Sequence, residues 1–313
     1  LIEFVRSGAL GKVLWAHGII WKPREPIPRR ATPGEPTEKV DYDLWCGPSP
    51  KMALERERLH YDWHWIWRTG NGDMGNLGVH QFDVCRWFCG YRGLPRRVMS
   101  LGGRFVWDDA GEAPNTQLAI FDYEGAPIYF SVRTLPSRPG SPVMDQMRGT
   151  RDASIVQCEN GHVVGGWNGG LVYDAAGKLV RKVTPDGGGT HQANFIEAVR
   201  SRKRTDLHAD IEEGHVSTAA CELANVAHRV GAAAPPGEIE EASRALPHAA
   251  EAVGGYIEHV GQHVDLRTRP ITLGPWLEVD REAGRIVGTH AEAANALLRR
   301  QEDRAPFVVP EMG

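Results

Sequence analysis

Cysteine is scarce in this chain of 313 residues: Cys46, Cys85, Cys89, Cys158 and Cys221 are all there is, and no CxxC pair occurs. An odd, sparse set excludes a disulfide-stapled scaffold and fits a reducing compartment, so a cytoplasmic location is expected. Cys85 and Cys89 lie one helical turn apart but have no second ligand pair, so they are expected to fill core and not to bind metal. Long apolar runs are missing as well. Nothing approaches the ~20 residues that span a bilayer, so no membrane partner is expected. Charge of one sign is also lacking, with a net charge of −4 and a pI of about 6.4. The basic cluster at residues 200–204 (Arg-Ser-Arg-Lys-Arg) falls at the expected end of a helix, where cations complement exposed carbonyls. No nucleic-acid partner is expected. No methionine opens the chain. Residues 1–13 already have the pattern of a helix running into a strand, so a longer parent protein is expected, with any export signal lost from the front.

What is present suffices for one large core, or one core with a small appendage: 41% of the residues are hydrophobic. Residues 12–21 are a strand candidate, and residues 22–60 are loop-like apart from a helical turn near Tyr42. Trp63, Trp65 and Trp67 recur at period two, as along a strand. Residues 73–88 form the first firm helix, with a stripe of Val79, Phe82 and Cys85. Hairpin signals follow at 117–123 with 127–134, and at 171–173 with 179–183. Then come a helix at 191–200 and a longer one from Asp210, where Glu213 completes a capping-box pattern. Residues 232–237 (Ala-Ala-Ala-Pro-Pro-Gly) are expected to act as a hinge into a tail that holds a hairpin at 276–287 and a last helix capped by Thr289. Strands in succession followed by helices indicate an α+β fold: an open, mostly antiparallel sheet with helices packed on one face. The uncovered face is expected to pair with a second copy through alternate residues of 117–123 and 127–134, giving a homo-oligomer.

Residues 70–75 (Gly-Asn-Gly-Asp-Met-Gly) match the dinucleotide pattern GxGxxG. The mechanism of that motif needs an apolar strand before it and a phosphate on the helix N-terminus. A Trp/His run precedes it here, and Asp73 would set a carboxylate where the pyrophosphate must lie. Residues 187–190 are no better, because no Gly-Lys-Ser/Thr follows them. No cofactor-binding residues are therefore expected in this chain. The chemistry is expected on the helix instead. Asn76, His80 and Asp83 stand at i, i+4 and i+7 and project from one face. Gly75 and Gly78 each cost about 1 kcal/mol relative to alanine in a helix, which suggests that something lies close to the backbone. Histidine is the side chain best matched to proton transfer near neutral pH.

These residues resemble the second signature of the Gfo/Idh/MocA oxidoreductases, a Gly-rich helix of the form Asp-x-Gly-x-His-x-x-Asp. The resemblance extends to residues 43–48 (Asp-Leu-Trp-Cys-Gly-Pro), 61–65 (Tyr-Asp-Trp-His-Trp), 191–210 and 273–278 (Leu-Gly-Pro-Trp-Leu-Glu). It implies an N-terminal Rossmann domain for NAD or NADP, absent from this chain, followed by an α+β substrate domain. Residues 1–13 would be the remnant of the interdomain connection, 14–231 the substrate and catalytic domain, and 232–313 an extension packed on it. By the family pattern His80 is the acid/base, and Asn76 stands where many members carry Asp. Asp83, Trp63, His64, Trp65 and Lys22 are expected at the substrate, with the tryptophans as a flat wall for a sugar ring and His64 on the opposite side of the strand. Arg24 is a weaker candidate, and His191 is similar to family positions near the substrate. The implied function is NAD(P)-dependent oxidation or reduction at a CH–OH group of a sugar, sugar acid or cyclitol, with this piece inactive by itself. The alternatives are an NAD-dependent glycosidase of the same family and a cofactor-free carbohydrate-binding or oligomerisation module.

Overall fold

A computed structural model describes residues 1–37, 39–167, 169–185, 190–298, 303–308 and 310. The chain begins with a short helix α1 (Ile2–Arg6) and strand β1 (Val13–Trp21). A small ribbon of β2 (Arg29–Gly34) and β3 (Leu54–Arg56) brackets α2 (Tyr42–Cys46). The long helix α3 (Gly72–Cys89) leads into a meander of β4 (Arg97–Gly103), β5 (Thr116–Asp122) and β6 (Ile128–Arg133). Four more strands follow: β7 (Asp152–Cys158), β8 (Gly161–Gly166), β9 (Gly169–Asp174) and β10 (Leu179–Val183). Helices α4 (Thr190–Ser201) and α5 (Ile211–Arg229) come next. The chain continues with β11 (Ala232–Ala234), α6 (Pro236–Ser243), α7 (Ala249–Gly261), β12 (Ile271–Leu273), β13 (Leu277–Asp280), β14 (Arg285–Val287) and α8 (Ala291–Leu297).

One twelve-stranded sheet runs in the order β10-β9-β8-β7-β1-β6-β5-β4-β12-β11, with β13 against β4 and β14 against β13. Among the described residues its pairings are antiparallel except β1 with β6, where His17 stands opposite Tyr129. The α+β class and the mostly antiparallel sheet are thus as expected. No described helix is long and apolar enough to cross a membrane.

Alternation along β1 sends its side chains to two cores. Ala16 and Ile20 pack with Phe82 of α3, Phe130 of β6 and Cys221 of α5. Trp15, Ile19 and Trp21 pack with Leu118, Ile120 and Tyr129 on the sheet and with Val253, Tyr256 and Val260 of α7. The C-terminal extension therefore lies across the second face. This corrects the expected pairing of copies through β5 and β6: Leu118, Ile120 and Tyr129 are at most 1% exposed within the single chain. The hinge expected at 232–237 is also corrected. Its three alanines form β11, paired with β12, and Pro236 starts α6.

Smaller expectations fail for local reasons. Asp210 does cap α5, accepting from the Glu212 N–H at 2.9 Å, but Glu213 turns to Arg86 and Arg92 instead of closing a capping box. Helix α8 starts after His290 with no side-chain cap, so Thr289 does not serve. Residues 22–60 hold the ribbon β2–β3 that their proline and charge content concealed.

Helix α3 lies unusually close to the sheet. A Cβ on Gly18 of β1 would come within 3.0 Å of the Gln81 Cβ and 3.2 Å of its backbone carbonyl carbon. A Cβ on Gly78 would sit 3.1 Å from both Phe130 and the Cys221 Sγ. Glycine on each partner permits the approach. A buried clamp then joins α3 to α5: Arg86, 0% exposed, donates to Ser217 Oγ at 2.6 Å and Asp83 Oδ1 at 3.2 Å. Ser217 in turn donates to Asp83 at 2.6 Å. Gly90, at φ 78°, ends the helix in the left-handed conformation. Burial pushes the Cys85 thiol up to about 12, as suits a core residue.

Two substitutions test this seating. Gly18→Val should lower unfolding stability by about 1–3 kcal/mol through overpacking against α3. Arg86→Met should cost about 3–5 kcal/mol, because the Asp83 carboxylate is left half-buried without its partner. Adding Asp83→Asn to Arg86→Met should return part of that loss. Urea unfolding followed by fluorescence reads all three, and an unchanged midpoint in the first two variants would contradict the packing described.

Candidate functional site

Helix α3 turns His80 away from the sheet core, toward the end of β8. The exposed imidazole meets Trp167 edge to face, with ring centroids 5.2 Å apart and planes at 67°. Between them opens a cavity of about 750 Å³, lined by His80, Asp83, Val84 and Trp87 of α3, by Gly165 and Gly166 of β8, and by Leu1 and Ile2. Its far wall is tied back to α3. Trp167 Nε1 donates to Asp152 at 3.1 Å, Gln81 donates to the same carboxylate at 2.7 Å, and Ser154 Oγ donates to Gln81 Oε1 at 2.7 Å. Gln81 alternates with His80 along the helix, so one residue fixes the wall while its neighbour faces the space. Among the described residues the His80 ring makes no hydrogen bond, which leaves both nitrogens available to a ligand.

Asp83 reaches the same cavity, but its Oδ1 is held by Ser217 and Arg86. Burial pushes its carboxyl upward, opposed by the Ser217 hydrogen bond and the Arg86 charge. Asn76 is half-buried one turn earlier. Among the described residues its side chain makes no hydrogen bond, and it is absent from the cavity lining. The structure thus joins His80 to Asp83 and leaves Asn76 apart. Gly75 and Gly78 do have groups close to the backbone, but these belong to the chain itself. A Cβ on Gly75 would strike the Asn71 side chain, and Gly78 seats α3 on Phe130 and Cys221.

The aromatic run forms no wall. Residues Asp62–Trp65 are a 3-10 turn that follows Tyr61 at φ 68°, closed by His64 N–H to Tyr61 O at 3.2 Å and Ile66 N–H to Trp63 O at 3.3 Å. Trp63 and His64 stack on each other, 3.8 Å apart, so they are not on opposite sides of a strand. Trp65 is buried with Ile27, Ala110 and Ala113, and the Arg229 guanidinium lies over the Trp67 ring. Period-two spacing here reflects turn packing.

The GxGxxG segment is closed by the chain itself. Buried Asp73 pairs with Arg24 at 2.7 Å, Arg24 donates to Tyr61 Oη at 2.5 Å, and the Asn71 amide donates to Glu222. The preceding element is the 3-10 turn, so a strand–loop–helix phosphate cradle does not fit these residues. Arg24 is thereby explained as a structural cation. Lys22 is exposed just beyond β1, with its backbone N–H on Arg133 O at 2.9 Å. His191 lies on α4, a helix with no buried residue, outside the His80 cavity. Residues 187–189 lie outside the described residues. Among the described residues no group of three or more His, Cys, Asp or Glu side chains could hold a metal ion.

Sequence reasoning missed Trp167, Gln81, Asp152 and Trp87. A signal existed for Trp167, an exposed tryptophan beside Gly165 and Gly166 at the end of a strand. None existed for Asp152, whose role depends on β7 lying beside β1.

No curated protein matches the chain. Several solved structures do, at low identity. One is a protein from Thermotoga maritima described as an oxidoreductase, 17% identical, with a TM-score of 0.47 over 72% of this chain and 55% of that one. Another is the WlbA dehydrogenase from Bordetella pertussis in complex with NADH and UDP-GlcNAcA, 15% identical, with a TM-score of 0.42 over 71% of this chain and 53% of that one. The chain spans a little over half the length of these structures. Residues 50–150, which contain all of α3 and therefore His80, match the family model of the GFO/IDH/MocA C-terminal domain.

Proposed function

We propose that this chain is the substrate-binding and catalytic half of an NAD(P)-dependent oxidoreductase of the Gfo/Idh/MocA family, acting on a CH–OH group of a sugar, sugar acid or cyclitol. The observation that carries this reading is the free His80 imidazole at the edge of a roomy cavity, inside the segment that matches the family. His80 takes the proton of the substrate hydroxyl during oxidation and returns it during reduction. Trp167 and Trp87 offer apolar surface to the C–H side of a ring. Asp83, anchored by Ser217 and Arg86, accepts a hydroxyl hydrogen bond at the cavity floor. On this reading the nicotinamide, which supplies hydride acceptance and donation, is held by a separate nucleotide-binding domain.

Two outcomes test the reading. With a family nucleotide-binding domain supplied ahead of Leu1, His80→Gln should lower kcat by about 10² to 10⁴ with KM little changed. Full turnover in that variant would remove His80 from the proton transfer. The chain by itself should bind neither NAD nor NADP in calorimetric titration. Micromolar binding of either would show that this chain holds a dinucleotide site of its own.

A further inference from the structure

On the second face of the sheet, remote from His80, helix α7 is joined to the strands through histidines. His248, the residue before α7, adopts φ 67°, which turns its ring flat onto Trp15 at 3.8 Å. Its Nε2 lies 3.2 Å from His17 Nδ1 on β1, and its Nδ1 lies 3.0 Å from Glu251 Oε2. His17 Nε2 is 2.9 Å from Ser131 Oγ on β6, which also accepts from Trp21 Nε1 at 3.1 Å. One arrangement of hydrogens fills every link. A carboxylate only accepts, so His248 donates to Glu251, His17 donates to His248, Ser131 donates to His17 and Trp21 donates to Ser131. Both imidazoles must then be neutral. One added proton turns the Ser131 link round, so that the Ser131 hydroxyl loses His17 as its acceptor, and places a cation beside a helix N-terminus in a buried site. A second sets N–H against N–H.

A further histidine lies in the same contact, with neither ring nitrogen in a hydrogen bond among the described residues. His259, 2% exposed, places Nδ1 2.8 Å from Asp145, which accepts from Arg133 at 2.5 Å. Arg133 donates to Gly255 O of α7 at 3.0 Å. The charged and titratable groups facing these rings are Arg133 and Tyr129 from β6, Arg148 and Asp145 from the loop before β7, and Glu251 and His263 from α7 and its end. Asp145 and Glu251 favour the charged rings, but neither outweighs burial.

We infer that His17 and His248 form an acid-opened clasp: while neutral they hold α7 against the sheet, and their protonation frees it. Burial keeps His17 and His248 below the ordinary imidazole value. Released, each returns toward roughly 6.5. The docked state therefore binds fewer protons. Docking is fully present above pH ~6.5 and weakens as pH falls toward the docked values.

Hydrogen exchange across α7, corrected for intrinsic rates and followed from pH 7.5 to 5, tests the clasp in the intact chain. The opening constant of α7 should rise up to tenfold per pH unit for each participating histidine, ahead of any change in the amides of α3. His248→Asn keeps a residue tolerant of the left-handed backbone and removes one titrating group, so the α7 slope should fall by about tenfold per unit. Glu251→Gln, at an exposed side chain, weakens the accepting end of the chain and should move opening to higher pH. The inference is overturned if α7 opens no sooner than α3, if His248→Asn keeps the full wild-type slope, or if Glu251→Gln leaves the opening pH unchanged.

Discussion

The close approach of α3 to the sheet is the constraint on which the candidate site depends. Gly18 and Gly78 remove the two Cβ atoms that would hold the helix off β1 and β6. Arg86 then locks its rotation by bonding to Asp83, Ser217 and the Arg92 carbonyl from a fully buried position. With distance and rotation both fixed, Gln81 meets Asp152 and Ser154, and His80, the preceding residue, is directed at Trp167. A small rotation of α3 would break the Gln81 links and move the imidazole off the cavity. The ionic clamp and the free histidine are thus two consequences of one packing arrangement.

The sheet carries unlike cores on its two faces. Toward α3 and α5 the contact is mainly aliphatic and aromatic, with a charged clamp at its edge. Toward α7 it includes the buried side chains of His17, His248 and His259, the first two hydrogen-bonded to Ser131 and Glu251. In the proposed clasp the His17–His248 chain needs both rings neutral, which ties the second face, and not the first, to protonation. Covering by α6 and α7 also changes what the surface offers. The apolar stripe of β5 and β6 that a bare sheet would present to another copy is internal to this chain.

What the sequence discloses follows the range of the interactions involved. The hairpin of β5 and β6 is legible because a Glu124-Gly125 turn separates two apolar runs, and α3 is legible from its 3.6-residue stripe. That His80 and Asp83 face one cavity is legible from their spacing on the helix. The tryptophans mislead because alternation over five residues also arises in a 3-10 turn, where local hydrogen bonds override the strand-like pattern. The glycines mislead in another way: their need for close approach is real, but the approaching groups are Phe130, Cys221 and Asn71, not a ligand. His17 and His248 are 231 residues apart, and no local pattern announces such a pair. The covering of the second face is hidden for the same reason, since Ala232–Ala234 has neither length nor side chains to mark it as a strand.

The proposed function rests on His80 as the group that meets the reacting hydroxyl. The most direct measurement is the structure of this chain, joined to a family nucleotide-binding domain, with a sugar-type substrate analogue bound. A carbinol oxygen is expected within about 2.6–3.2 Å of a His80 ring nitrogen, with the sugar lying against Trp167. A reacting hydroxyl held by other residues, with the His80 ring facing only solvent, would contradict it.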